Sequence, residues 1–563
     1  MVRSFVALLK KELSGLHEAA FLLAFFAFFS QILAVVRDRL LAHSFGAGSE
    51  LDIYYTAFRI PDFIYISIAS LASITVLIPF LSEYLKDESI SSKDRAGHFL
   101  NSVLTTFTAL IGLVSIGAWF FMPQLTPFIA PGFSEGARES LVQLSRILLL
   151  SPILLGLSNL FGSITQLFRR FFVYALSPIL YNIGIIIGIV WFYPIFGLSG
   201  LAYGVVLGAI FHMALQLWSL WGGALHPRFV STVDFGIIRR VVVLSLPRTF
   251  ALSASHITML VLVALATLMP DGSVSVFNFA FNLQSVPLSL IGVSYSLAAF
   301  PVLASLFTNG DKKAFVEKIL TALKHIIFWL LPATIFFIVL RAHIVRVFLG
   351  SGDFSWADTR LTAAALALFV ISIFAQGATL LLVRGFYAAG ETRIPLWGAV
   401  VSSIISVISA FLLTNIFVSQ EIFRYFIESL LRVEEIPGTI LLMLPLAFTL
   451  GSIVNTVWLW VFFVKKYDSI VEFGVIRSFF QNFSAGIIAG VVTYAFLYLL
   501  EDSFNQDTFI GIFSQGFIAG IFGIITWVGV LFILGNIEIR EVWFTLRQKF
   551  WKSDVVAEGM TEL

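Results

Sequence analysis

VVRDRLLAHSFGAGSELDIYYTAFRIPDF, residues Val35 to Phe63, joins two long apolar stretches and carries three arginines and three aspartates. The rest of the chain is greasy enough to make those charges conspicuous. Of 563 residues, 59% are hydrophobic and 12% charged, against roughly 25% charged in an ordinary soluble domain. With a mean hydropathy of +0.96, the composition is that of an all-α polytopic membrane protein. A net charge of +2, with basic residues spread along the chain, gives no case for nucleic-acid binding. The absence of cysteine excludes disulfides, thiolate metal sites and a cysteine nucleophile.

A helix needs about 20 mostly apolar residues to cross the hydrocarbon. On that ruler the sequence predicts fourteen spans: 17–40, 53–81, 97–121, 141–167, 173–193, 198–222, 237–269, 272–306, 315–340, 361–383, 395–417, 439–464, 474–500 and 508–534. The apolar run from Ala19 to Val36 ends in Arg-Asp-Arg and is long, so it reads as the first span and not as a cleaved leader. With the N-terminus inside, 24 of the 35 Lys and Arg residues fall in inner loops and tails. Only Arg138, Arg341, Arg346, Arg360, Arg424 and Arg432 fall outside. Positive loops stay cytoplasmic, so both termini are expected in the cytoplasm. Between spans eleven and twelve, Glu421 to Val433 alternates an apolar face (Ile422, Phe426, Leu430, Val433) with a charged one (Glu421, Arg424, Glu428, Arg432), which predicts a short surface helix.

Five basic residues remain outside that inner and outer assignment, within or at the ends of spans: Arg37, Arg39, Arg59, Arg146 and Arg248. Intramembrane charge is where function is sought. If the second helix starts near Asp52, Asp62 lies ten residues in, about 15 Å deep at 1.5 Å per residue. Asp52 and Arg59 are seven apart and share a face, and Arg59 is three residues from Asp62, so partial pairing along one helix is expected. Arg37, Asp38 and Arg39 follow eighteen apolar residues and read equally well as outer-surface anchors. In the eighth span Asn278, Asn282, Ser285 and Ser289 form a narrow polar stripe, which either bonds neighbouring helices or lines a wet cavity. Thr249, Ser253 and His256 make a similar row beside Arg248 in the seventh. No second ligand sits at metal spacing from His256, so no metal site is expected.

Motifs for nucleotide binding, for a serine nucleophile elbow and for a zinc protease are all missing. The expectation is therefore a protein that is not an enzyme and carries no cofactor. Transport would draw on an ion gradient, the membrane potential or the substrate's own gradient.

The Val35–Phe63 run resembles the first two helices of the MurJ/MviN lipid II flippases, a branch of the multidrug, oligosaccharidyl-lipid and polysaccharide exporter superfamily. "APGF" at Ala130–Phe133, "LPRTF" at Leu246–Phe250 and "RGFYAAGETRIP" at Arg384–Pro395 are similar to later segments of that family, in family order. The resemblance implies two pseudo-symmetric six-helix lobes around a central cavity, residues 1–225 and 226–466, with the amphipathic insertion at about 419–437. Two further helices and a cytoplasmic tail would occupy 467–563. It implies a bacterial inner-membrane protein, expected to be a monomer, that moves a polyprenyl-diphosphate-linked glycolipid, lipid II, from the inner to the outer leaflet by alternating access. Arg37, Asp38, Asp52 and Arg59 match the family's charged positions. Arg59, Arg37 and Arg248 would meet the diphosphate, with Asp62, Asn282 and Ser285 completing the substrate site.

The chain also departs from the family. Gln31 and Tyr65 stand where arginines are usual, and Asn282 and Ser285 where an arginine and a glutamate are usual. The alternatives left open are an exporter of another polyprenyl-diphosphate oligosaccharide, an ion-coupled drug exporter relying on Asp62, and a non-transporting scaffold. Some relatives bind a cation in the second lobe. No acid lies between Ile237 and Met269 or between Pro395 and Gln420, so no sodium site is expected.

Overall fold

The computed structural model describes residues 16–69, 71, 77, 81, 84, 90–168, 170–220, 227–467 and 473–551. Among these residues all regular structure is helical, with no strand. In chain order the helices are α1 (Leu16–Phe45), α2 (Ser49–Ala57), α3 (Arg59–Ala69), α4 (Ile90–Ile129), α5 (Glu135–Leu148), α6 (Leu150–Leu167) and α7 (Phe171–Ile187). Then come α8 (Leu198–Leu220), α9 (Phe235–Ala266), α10 (Ser273–Pro287), α11 (Ser294–Thr308), α12 (Lys312–Val339), α13 (Arg341–Leu349) and α14 (Trp356–Val370). The last are α15 (Ile373–Ala388), α16 (Arg393–Ser419), α17 (Glu421–Leu431), α18 (Met443–Tyr467), α19 (Phe473–Leu499), α20 (Phe509–Ile533) and α21 (Ile537–Trp551).

Eleven helices among the described residues are long and apolar enough to cross a membrane, or twelve if α14 and α15, bent by 42° at a short break, count as one. The expected first span falls on α1. The expected second falls on α2 and α3, and most of its length beyond Ala69 lies outside the described residues, as do Arg3, Lys10, Lys11, Lys86, Arg169 and Lys552. Helix starts follow capping chemistry. Asp234 accepts hydrogen bonds from the backbone N–H groups of Gly236 and Ile237, and Asp311 from that of Ala314, so the first orphan donors of α9 and α12 are satisfied.

The chain forms two compact units. One takes the described residues up to Leu283 with Phe348–Leu368 and Thr392–Asn455. Its core gathers Ile64 and Ile68 of α3, Phe99, Val103 and Phe107 of α4, Leu160 and Ile164 of α6, and Val241 of α9. Within it α7 and α8 approach backbone to backbone. A Cβ added at Gly184 would lie 2.3 Å from the Cα of Gly208, so only glycine fits there. The other unit takes Gln284–Val347, Phe369–Glu391 and the described residues from Thr456 onward. Its core packs Phe328 of α12 against Ala485 and Ala489 of α19 and Trp527 and Leu531 of α20.

Candidate functional site

The charged segment folds around a break dictated by one proline. Pro61 has no N–H to give to the carbonyl of Ala57 and its ring crowds that carbonyl. Accordingly α2 ends at Ala57, and α3 begins at Arg59 after a turn at Phe58. The Ala57 carbonyl that loses its helical donor accepts a hydrogen bond from the Ser145 hydroxyl of α5 at 3.3 Å. Regular bonding resumes when the Asp62 N–H donates to Phe58 at 2.8 Å.

That break decides the fate of each charge. Asp52 is 3% exposed, yet its carboxylate is fully partnered. It accepts from the backbone N–H and hydroxyl of Ser275 at 2.7 and 2.5 Å and from the N–H of Gly272 at 2.8 Å. These groups open α10, whose orphan N–H groups favour an anion. Gly272 has φ +89°, and a Cβ there would lie 2.2 Å from the Ala47 carbonyl oxygen, so the close approach requires glycine.

The pairing of Arg59 with Asp52 along one continuous helix, expected from spacing, does not occur, whereas Asp62, on α3 with Arg59, remains its electrostatic neighbour. Asp52 is taken by α10, and the turn at Phe58 ends the shared helical face. Arg59 Nη2 donates instead to Asn278 Oδ1 of α10 at 2.5 Å, and its Nε–H is buried without a hydrogen-bond partner.

Arg37 is not a freely solvated side chain. Its Nε and Nη2 both donate to Asp38 Oδ1, at 2.9 and 2.8 Å, and Nη1 donates to Asn182 Oδ1 of α7 at 3.2 Å. The Arg37 and Asp38 side chains are 21% and 10% exposed. The other Asp38 oxygen accepts from Asn282 Nδ2 at 3.0 Å. Two members of the eighth-span stripe, Asn278 and Asn282, thus receive the charges of α3 and α1 one helical turn apart.

The structure brings together Arg37, Asp38, Arg59 and Asn282, with Asp52 held at the start of the same helix α10. Asp62 follows Arg59 by one turn of α3. Ser285 lies half-buried on α10 one turn past Asn282, and Arg248 half-buried on α9 directly after Pro247. Ser253 of α9 hydrogen-bonds Ser67 of α3 at 3.0 Å, tying in the seventh-span polar row. Sequence reasoning missed Asn182, Ser275 and Tyr55, the last 8% exposed with an unpartnered hydroxyl. Asn182 had a readable signal, as an amide inside an otherwise apolar span.

The chemistry this arrangement supports is anion recognition. A guanidinium offers five N–H donors. Arg37 uses three of them on protein acceptors and Arg59 one. Such forks suit the bidentate geometry of phosphate. No group of three or more His, Asp or Glu among the described residues is placed to hold a metal ion.

A family model described as "Lipid II flippase MurJ" matches residues 41–514. The chain belongs to the MurJ lipid II flippase family. The match runs from the end of α1 into α20 and includes Asp52, Arg59, Asp62, Asn278 and Asn282. A probable lipid II flippase MurJ of Buchnera aphidicola subsp. Acyrthosiphon pisum is 28% identical over 373 residues, 65% of this chain and 72% of that one. One from Rickettsia prowazekii is 26% identical over 388 residues, 68% and 75% of the two chains. Among solved structures, "Lipid II flippase MurJ, inward closed conformation" superposes with a TM-score of 0.72 at 22% identity over 93% of this chain and all of that one. An inward-facing transporter of the multidrug-resistance MATE family gives 0.62 at 16% identity, covering 78% and 96%. The fold is the one shared by MurJ and MATE transporters, and the chain is a multi-pass membrane protein of a transporter family.

Proposed function

We propose that this protein translocates lipid II, the peptidoglycan precursor carried on a polyprenyl diphosphate, from the inner to the outer leaflet of the bacterial inner membrane. Membership of the MurJ family supports the cargo. The observation that carries the site is the pairing of α1 and α3 charges with the amide stripe of α10, which leaves six guanidinium N–H groups of Arg37 and Arg59 unused by acceptors among the described residues. Arg37 and Arg59 hold the diphosphate. Asp38 and Asn282 orient Arg37, Asn278 orients Arg59, and Asp62, Arg248 and Ser285 complete the polar path.

In this reading the fourteen spans form two six-helix lobes, 1–225 and 226–466, with two further helices after them and both termini cytoplasmic. Transport proceeds by alternating access without enzymatic chemistry or a bound cofactor, driven by an ion gradient, the membrane potential or the substrate gradient, in a monomer. The bonds from Asp52, Arg59 and Asp38 to α10 each join a helix of the first lobe to one of the second. They have to break for the lobes to part on that side, and an entering diphosphate competes for the same arginines.

Complementation tests the reading. The gene should restore growth to cells depleted of their own lipid II flippase, and Arg37→Ala should not. Failure of the wild type to complement, with no binding of lipid II by the purified protein, would overturn it.

A further inference from the structure

Helix α17 follows the apolar helix α16 after a single residue, Gln420, so it sits where α16 leaves the hydrocarbon. A helix lying on a protein surface in water turns apolar residues inward and charges outward. The charged face expected from the sequence is instead turned partly toward the protein. Ile427 and Leu431 are buried, Phe423 stands edge-on to Phe417 of α16 with ring centroids 6.4 Å apart, and Arg424 and Glu428 flank this inward row half-buried. Glu428 accepts from the Thr439 hydroxyl at 2.7 Å, and Arg360 donates to the Arg432 carbonyl at 2.5 and 3.2 Å, so the helix is pinned in one orientation.

The opposite row is apolar as well. Ile422, Tyr425, Phe426 and Leu430 are 59–85% exposed, and only Glu421 and Ser429 interrupt them. This row continues the exposed apolar surface at the end of α16, where Leu412 and Val418 are 55% and 68% exposed. A side chain on that stretch of a membrane helix faces lipid. Large apolar rows held outward next to it need the same solvent.

We propose that α17 is a monotopic membrane element, with Ile422, Tyr425, Phe426 and Leu430 immersed in the headgroup–acyl boundary of the leaflet at which α16 ends. The attraction is hydrophobic and not electrostatic, because the single charge among the exposed residues of the row is the anionic Glu421. Tyr425 is a residue type favoured at that depth. The inference rests on α16 spanning the membrane and is independent of the cargo.

The chain contains no cysteine, so single labels can be placed without background. Ile422→Cys, Phe426→Cys, Leu430→Cys and, as an exposed polar control, Glu434→Cys are spin-labelled and reconstituted in phosphatidylcholine vesicles, with and without anionic phosphatidylglycerol. Collision rates with oxygen, which partitions into lipid, and with a water-soluble nickel chelate are then measured. At the three row positions the oxygen-to-nickel ratio should exceed that at Glu434 severalfold and be unchanged by anionic lipid. A ratio equal to that at Glu434 places the row in water and overturns the proposal. Shielding from both reagents, with spin–spin broadening from a second copy of the chain, overturns it equally.

Discussion

Asp52 and Ser275 are joined twice, through the backbone N–H at 2.7 Å and the hydroxyl at 2.5 Å, across 223 residues of sequence. With the Gly272 N–H as third donor, this carboxylate acts as an anionic cap on α10. Removing it leaves buried donors without an acceptor. Asp52→Ala should lower stability by about 3 kcal/mol, read as a fall in the thermal unfolding midpoint of purified protein. Ser275→Ala, which keeps the backbone donor, should lower it by about 1–2 kcal/mol. Equal midpoints for Asp52→Ala and wild type would show that the cap contributes nothing.

Of Arg37 and Arg59, Arg59 has the fewer donors engaged by acceptors among the described residues. Arg59→Lys keeps the charge but replaces the planar fork with a point charge. It should bind lipid II more weakly than wild type yet more tightly than Arg59→Gln. The Gln variant should lose at least about tenfold, or ~1.4 kcal/mol. Titration of the three proteins with lipid II gives the order.

Asn282, which the family resemblance sets where an arginine is expected, donates to Asp38 at 3.0 Å. Asn282→Arg should therefore find its counter-ion already in place. The variant should fold, complement, and bind the diphosphate headgroup at least as tightly as wild type. Asn282→Ala, which removes one hydrogen bond to a charged acceptor, should cost about 1.5–3 kcal/mol of stability.

His343, on α13 outside the membrane helices, has its Nε2 3.1 Å from Gln515 Oε1, while the Gln515 amide donates to the Leu497 carbonyl. Burial pushes this imidazole below its ordinary value, and the bond to Gln515 opposes the shift only in part. The folded state thus favours the neutral ring. Its contribution to stability is fully present above the unfolded value of about 6.5 and is lost as pH falls through that value toward the folded one. Unfolding midpoints measured from pH 8 to pH 5 should fall more steeply for wild type than for His343→Gln.

Of the fourteen spans expected, eleven or twelve stand among the described residues, and these were legible because membrane helices advertise themselves by length and apolarity. Asp52 shows where legibility ended. Local spacing pointed to Arg59 as its partner, but the true partners lie 220 and 223 residues away, and no pattern along one helix encodes which distant helix start will approach. Pro61 dictates a break by its missing N–H, whereas the use of Ser145 to satisfy the carbonyl it frees has no signal in local sequence. The polar stripe of α10 was found by its period, and its acceptors and donors only became specific once α1 and α3 were set against it. For α17 the alternation of apolar and charged residues was plain. That a second apolar row, Phe423, Ile427 and Leu431, would take the protein side could not be read without knowing which row the neighbours cover.

In the proposed function the guanidinium groups of Arg37 and Arg59 grip a diphosphate. Equilibrium binding of lipid II to wild type, Arg37→Ala and Arg59→Ala, each checked for an unchanged elution profile, tests it most directly. Loss of affinity by about tenfold or more in both variants, with competition by inorganic pyrophosphate in wild type, is the predicted result. Unchanged affinity in both, or binding indifferent to pyrophosphate, would contradict it.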